Sequence, residues 1–246
     1  MKCPVYAVLM AETLSIILTV SPPINGAEQS IGIDSAETIL ASASREYDSA
    51  ALGRAAAAIA ALPENTRQSF RALLTLGLIY WRLQLIAYCV NDDARIVRYG
   101  DSALTILDKA EKAGADEYLA ASHRALASQL LAGLGARKGM VYGPKSAWEI
   151  HKAKKADSAG YFSLLAEALS LCRAPKFAGG DPAKGATMLE KMAGQFPDSV
   201  DVKIHLAYAY RKTGRGADAR RCIAPVVNDF PANLLARKTA KDITGK

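Results

Sequence analysis

From Ala36 onward the apolar positions return with a period near 3.6, and no run of alternating β-branched residues is long enough to make a strand. This pattern predicts an all-α chain. Its helices are punctuated at Leu62-Pro63-Glu64-Asn65, Gly114, Asp157-Ser158, Phe196-Pro197-Asp198 and Phe230-Pro231, each able to stop one helix or start another. The stops recur, so the chain reads as a series of helical hairpins, and a last helix is expected from about Ala232 to Asp242.

The clearest unit spans Val200 to Asn233. Leu206-Ala207 and Tyr210 fall on a first helix, Gly214 at the turn, Ala219, Ile223 and Val226 on a second, and Pro231 closes it. Leu206 and Tyr210 lie one turn apart on one face, while Ala207 and Ala219 supply small surfaces that let the two helices approach closely. A second unit carries Leu76-Gly77 and Tyr80, then Ala103, Leu107 and Ala110; its long interval between Tyr80 and Ala103 predicts a longer first helix and loop. A third shows only second-helix spacing, at Ala51, Ala55, Ala58 and Pro63. Two more lie at Ile150 with Ala153, and at Leu189 before Pro197.

These residues resemble the tetratricopeptide repeat. The resemblance implies about five irregular helix pairs stacked into a right-handed solenoid and closed by a C-terminal capping helix. The intervals between stops shorten along the chain, and only the last has the length usual in that family. Gly143-Pro144-Lys145-Ser146 before one helix, and Pro175-Lys176-Phe177 with Gly179-Gly180 before the next, look like a group of bacterial tetratricopeptide proteins without assigned activity. That closer likeness covers about residues 130–200 and brings no reaction with it.

Half of the 246 residues are hydrophobic but only 7% are aromatic, and the abundance of alanine suits helices packed through small side chains. Before the repeats, Val5 to Val20 is mostly apolar, follows Lys2, and precedes Ser21-Pro22-Pro23 and Gly26-Ala27. This is the layout of a secretory signal. The run is shorter than the roughly 20 residues of a membrane helix and carries Glu12, so no stable anchor is expected. We therefore read 1–27 as a signal segment and 28–246 as the repeat domain, with a periplasmic or secreted location and a cytoplasmic one as the alternative. The mature part keeps Cys89, Cys172 and Cys222. One bridge is open to an exported chain, but single cysteines on apolar helix faces are commonly small buried hydrophobes.

The net charge of +7 is too modest and dispersed to indicate nucleic acid. His123, His151 and His205 make no metal-ligand spacing with each other or with cysteines, and no local nucleophile and base signature stands out. Neither a cofactor nor a metal is expected. Gly133-Leu134-Gly135 and Gly139 lack the strand and third glycine of a dinucleotide site and read as a turn. Asp92-Asp93 and Asp116-Glu117 fit helix starts, and Gly179-Gly180-Asp181-Pro182 fits a loop closing on a helix with Asp181 as cap.

First helices line the inner face of such a solenoid, which makes Tyr208, Arg211 and Lys212 the candidate groove residues. Lys152, Lys154, Lys155, Arg220 and Arg221 fall on second helices and are expected on the solvated outer face. The function expected is a non-catalytic scaffold or adaptor for a protein or peptide partner with acidic groups, serving envelope assembly or transport. The alternative is a carrier or transporter accessory protein with a small-molecule pocket; a hidden hydrolase comes third. The repeat register makes Leu206 a core residue, so Leu206→Ala should lower stability by about 2 to 5 kcal/mol in a denaturant melt.

Overall fold

The computed structural model describes residues 27–245, so the signal segment at 1–27 lies outside the described residues except for Ala27. Twelve α-helices and no strand are present among them. They are α1 (Ala27–Glu46), α2 (Ser49–Ala60), a single turn α3 (Glu64–Arg67), α4 (Phe70–Cys89), α5 (Asp93–Lys112), α6 (Glu117–Ala132), α7 (Ala136–Ala156), α8 (Tyr161–Arg173), α9 (Pro182–Gln195), α10 (Val200–Lys212), α11 (Gly216–Asp229) and α12 (Leu234–Thr244). Consecutive helices pack as antiparallel pairs, α1 with α2, α4 with α5, α6 with α7, α8 with α9 and α10 with α11; α5 also packs on α6, and α12 is laid over the end. This is an all-α, tetratricopeptide-like solenoid of five helix pairs and a cap.

Side chains that satisfy free backbone amides set the helix starts. Asp92, Asp116, Asp181, Ser199 and Asn233 each accept from the amide three residues on, and Pro182 follows Asp181 at the first helical position, where its missing donor costs nothing. Gly214 takes a φ of 77° in the last hairpin's turn, a left-handed conformation that glycine enters freely. Leu206, Ala207, Ala219, Ile223 and Val226 are all buried, as are Ala103, Leu107 and Ala110. Tyr210 is half-buried, with the Arg215 guanidinium 4.0 Å above its ring.

Three local expectations change. The extra length of the second hairpin lies in two 20-residue helices joined by a turn of only residues 90–92. Gly143-Pro144-Lys145-Ser146 does not precede a helix; it lies inside α7, because Pro144 sits on the exposed side, where the freed carbonyl can meet water. In α2 the larger filling residues are Leu52 and Ile59, both fully buried, whereas Ala58 is half-exposed.

Neighbouring hairpins are pinned by polar groups. Arg71 of α4 pairs with Glu37 and Asp34 of α1, and Thr75 donates to the buried Glu37. Arg124 of α6 reaches the Leu107 carbonyl, Glu111 and Glu149, and Lys152 joins Glu111. The Gln84 amide donates to the Ala127 carbonyl at 3.1 Å and Gln129 to that of Ala166 at 2.7 Å, tying α4 to α6 and α6 to α8. By length and composition α4 could cross a membrane, but 67% of the qualifying stretch is buried inside the fold.

At Gly77 α4 approaches α5 closely: an added Cβ would stand 2.6 Å from Leu107 Cδ2. Gly77→Ala should therefore destabilise by about 1 to 3 kcal/mol. Gly53 in α2 has open space around it, and Gly53→Ala should stabilise by about 0.5 to 1 kcal/mol. Opposite shifts in thermal melts of the two variants test the packing.

Candidate functional site

The first helices of the last four hairpins face one another. In α6, every residue from Ala120 to Leu131 is buried, so that helix is covered on all sides, and α4 is buried continuously from Trp81 to Leu85. The inner face is accordingly filled along much of its length. Among the described residues these helices border a recess of about 330 Å³ including its mouth. Each of the four helices contributes residues one turn apart: Trp81 and Leu85, Leu126 and Leu130, Leu165 and Leu169, Asp201 and His205. Arg173, one further turn along α8, completes the lining.

The polar end is organised by Arg82 and Asp201, which meet at 3.3 Å although 119 residues separate them in sequence. Burial opposes the Arg82 charge, but Asp201 holds its pKa above the ordinary value. The Arg82 guanidinium also lies 4.6 Å from the Trp81 ring centre. Tyr47, at the end of α1, is buried with a φ of 58°, an uncommon conformation for an aromatic residue. Burial first, and Asp201 second, push its phenol well above the usual tyrosine range. Tyr161 shares a 2.8 Å hydrogen bond with Ser199, the residue that caps α10.

Two histidines are held neutral. His123 donates from Nδ1 to the Leu119 carbonyl at 2.8 Å, between the rings of Trp81 and Phe162, and burial lowers its pKa to about 4. His205 falls to about 3, through burial first and the nearby Arg173 second. The thiols move the other way. Burial pushes Cys89 up to about 12 and Cys172 to about 11, and also raises Cys222; all three are unbridged. A protonated, buried thiol is a poor nucleophile and behaves as a small hydrophobe. Among the described residues, no three His, Cys, Asp or Glu side chains gather in a way that could hold a metal ion.

The three groove residues anticipated from sequence lie along the last turns of α10. Tyr208 is half-buried against the core, its phenol raised by burial and opposed by Arg173, and the Lys212 ammonium stands 5.6 Å from its ring centre. Arg211 and Lys212 are exposed. Arg173 forms no salt bridge among the described residues, yet its charge acts on His205, Cys172, Cys89 and Tyr208. Sequence reading missed Arg173, although Leu165, Leu169 and Arg173 share one stripe of α8 at four-residue spacing. It missed Trp81 and Asp201 for want of any local signal.

This arrangement joins an apolar floor to a cationic, aromatic rim, on paired helices that interlock through small residues. Residues 176–241 match the tetratricopeptide repeat family model. The match runs from the short turn at Lys176 through α9, α10 and α11 into α12, and so takes in Tyr208, Arg211 and Lys212 while leaving the floor residues of α4, α6 and α8 outside. No curated protein matches the chain. Tetratricopeptide repeats as a class serve protein interaction, and at that general level the match supports a scaffold.

Buried neutral histidines make stability depend on pH. Above about 6.5 both folded and unfolded His123 are neutral; between there and about 4 the unfolded chain takes up a proton that the folded one refuses. Stability should therefore fall as the pH drops through that window, by up to about 3 kcal/mol from His123. His123→Phe should flatten the decline of Tm between pH 7 and pH 4; an unchanged slope would contradict the neutral, buried state.

Proposed function

We propose that the chain is a non-catalytic binding scaffold whose recess takes an acidic side chain or terminus of a protein partner. The observation carrying this reading is Arg173, a guanidinium with no salt bridge among the described residues, at the mouth of an apolar recess beside Tyr208. An Arg fork recognises a carboxylate through two parallel hydrogen bonds, and the apolar floor strengthens the attraction. Arg211 and Lys212 extend the positive rim, and the phenol and aliphatic stems offer apolar contact to the segment next to the acid.

Because the inner face is largely filled, the partner engages through a short anchoring segment rather than an extended strand running the length of the solenoid. Small-molecule carriage draws less support, since the recess is partly open to solvent and does not form an enclosed cavity. The apolar run at Val5 to Val20 supports delivery to the periplasm, where such a module would act as an adaptor in envelope assembly or transport.

A panel of short peptides of graded net charge, followed by fluorescence anisotropy, tests the rim. Acidic members should bind, and Arg211→Glu and Arg173→Glu should each weaken them at least fivefold, about 1 kcal/mol, with the melting curve of Arg211→Glu unchanged. Equal affinity for acidic and basic peptides would refute the assignment. Mass spectrometry of the chain recovered from an envelope fraction should show it beginning at Glu28.

A further inference from the structure

The outer face of α7 carries a feature that the recess does not use. Ser146, Ile150 and Ala153 bury one side of this helix against the core. The opposite side exposes Met140 by 74%, Val141 by 49% and Trp148 by 63%, with Pro144 and Ala147 between them also exposed. Positions 140, 144 and 148 follow one another at four-residue spacing, so the stripe runs about 12 Å along the helix at 1.5 Å per residue. The Trp148 ring stacks on His151 with centres 6.1 Å apart.

Cations border the stripe. Arg137, Lys138, Lys145 and Lys155 have no carboxylate partner among the described residues; Lys138 and Lys145 stand 5.9 and 5.2 Å from the Tyr142 ring centre. The helix's single carboxylate, Glu149, is drawn inward to Arg124, and Tyr142 donates to Asp101, the nearby acid on α5. Lys152 and Lys154 are turned to Glu111 and Glu167. The face therefore presents exposed apolar groups and uncompensated positive charge together. Phe177, 94% exposed beside Lys176, lies in the turn of the next hairpin, at the same end of the solenoid as the start of α7.

We propose that this face of α7 docks the protein peripherally on an anionic lipid bilayer. A second helix of a solenoid is convex, and a convex stripe suits a flat surface, whereas an extended peptide needs a groove or sheet edge. Tryptophan prefers the level of the lipid headgroups, where its ring meets both apolar and polar surroundings. Met140 and Val141 enter the acyl boundary beside it, and the lysines extend along the helix to place their ammonium groups among lipid phosphates. The stripe is too short to span a bilayer, so the contact is reversible and dependent on salt. It is independent of the recess, and either assignment stands if the other fails.

The chain has two tryptophans, and Trp81 is buried, so a change in emission on membrane binding reports Trp148. The full chain is mixed with vesicles of phosphatidylcholine alone or with 30 mol% phosphatidylglycerol, and read by co-sedimentation and emission. Anionic vesicles should retain the protein with a blue shift, and 0.5 M salt should release it. Lys145→Glu should weaken binding by about fivefold or more, and Trp148→Ser should weaken it and abolish the shift, both with unchanged melting curves. Equal retention by the two vesicle types, or retention of both variants at the level of the parent chain, overturns the proposal, the latter placing the attraction elsewhere, as in the segment before Ala27. A concentration-dependent dimer that Trp148→Ser dissociates also overturns it by assigning the face to a second copy.

Discussion

The structure depends on the contact between α4 and α10 at Arg82 and Asp201. Hairpins in an open solenoid touch only their neighbours, but this pair joins the second hairpin to the fifth, and Lys238 of α12 reaches Asn91 just past α4 at 2.6 Å. The stack thus curls until early and late elements meet. That closure buries α6 on every side and leaves Tyr47, Tyr161 and His205 with no room in solvent. A buried ion pair earns little net stability against an apolar substitute, because both charges lose water. Its value here is positional: an uncompensated Arg82 or Asp201 would be costly in any other arrangement, so the pair selects the register in which the two helices cross.

Much of the fold is legible along the chain because its determinants are local. Prolines and glycines at the turns mark helix ends, and the interlock of Leu206, Ala207, Ala219 and Ile223 lies within one hairpin, so the hairpins and their order follow from spacing alone. Pro144 shows the limit of that logic. The same residue that ends a helix at Pro231 is tolerated inside α7, since its environment, and not its type, decides whether the lost hydrogen bond matters.

The site was only half legible for a related reason. Tyr208, Arg211 and Lys212 follow from belonging to a first helix near its end, a property that the hairpin pattern supplies. Gln84 and Gln129 look like ordinary polar interruptions of apolar helices, and nothing nearby in sequence identifies the carbonyls of Ala127 and Ala166 as their acceptors. Tyr47 reads as a residue beyond a helix end, yet its ring enters the axis with Leu85 and Leu235. Contacts made across the curl have no period, and it is these that turn an expected groove into a recess.

Filling the axis also divides the surface available for binding. A groove-like inner face would spread recognition over many residues of each first helix, and the aromatic and basic groups on the outside would then be ornament. With the inner face largely filled, the acidic anchor proposed for the recess at Arg173 would be gripped only with its immediate flank, while the larger exposed apolar area lies on the convex side, at Met140, Val141 and Trp148. The two faces differ in chemistry as well as in shape: one sets a guanidinium beside an apolar floor and the other sets lysines around a stripe. Because α6 is packed on both α7 and α8, bonded through Ser146 to the Ala125 carbonyl on one side and through Gln129 to Ala166 on the other, the two faces are held in fixed relation. A partner gripped at Arg173 would therefore be presented at a set orientation to whatever surface α7 rests on, which is the mechanical use of a closed solenoid that an open, flexible one could not provide.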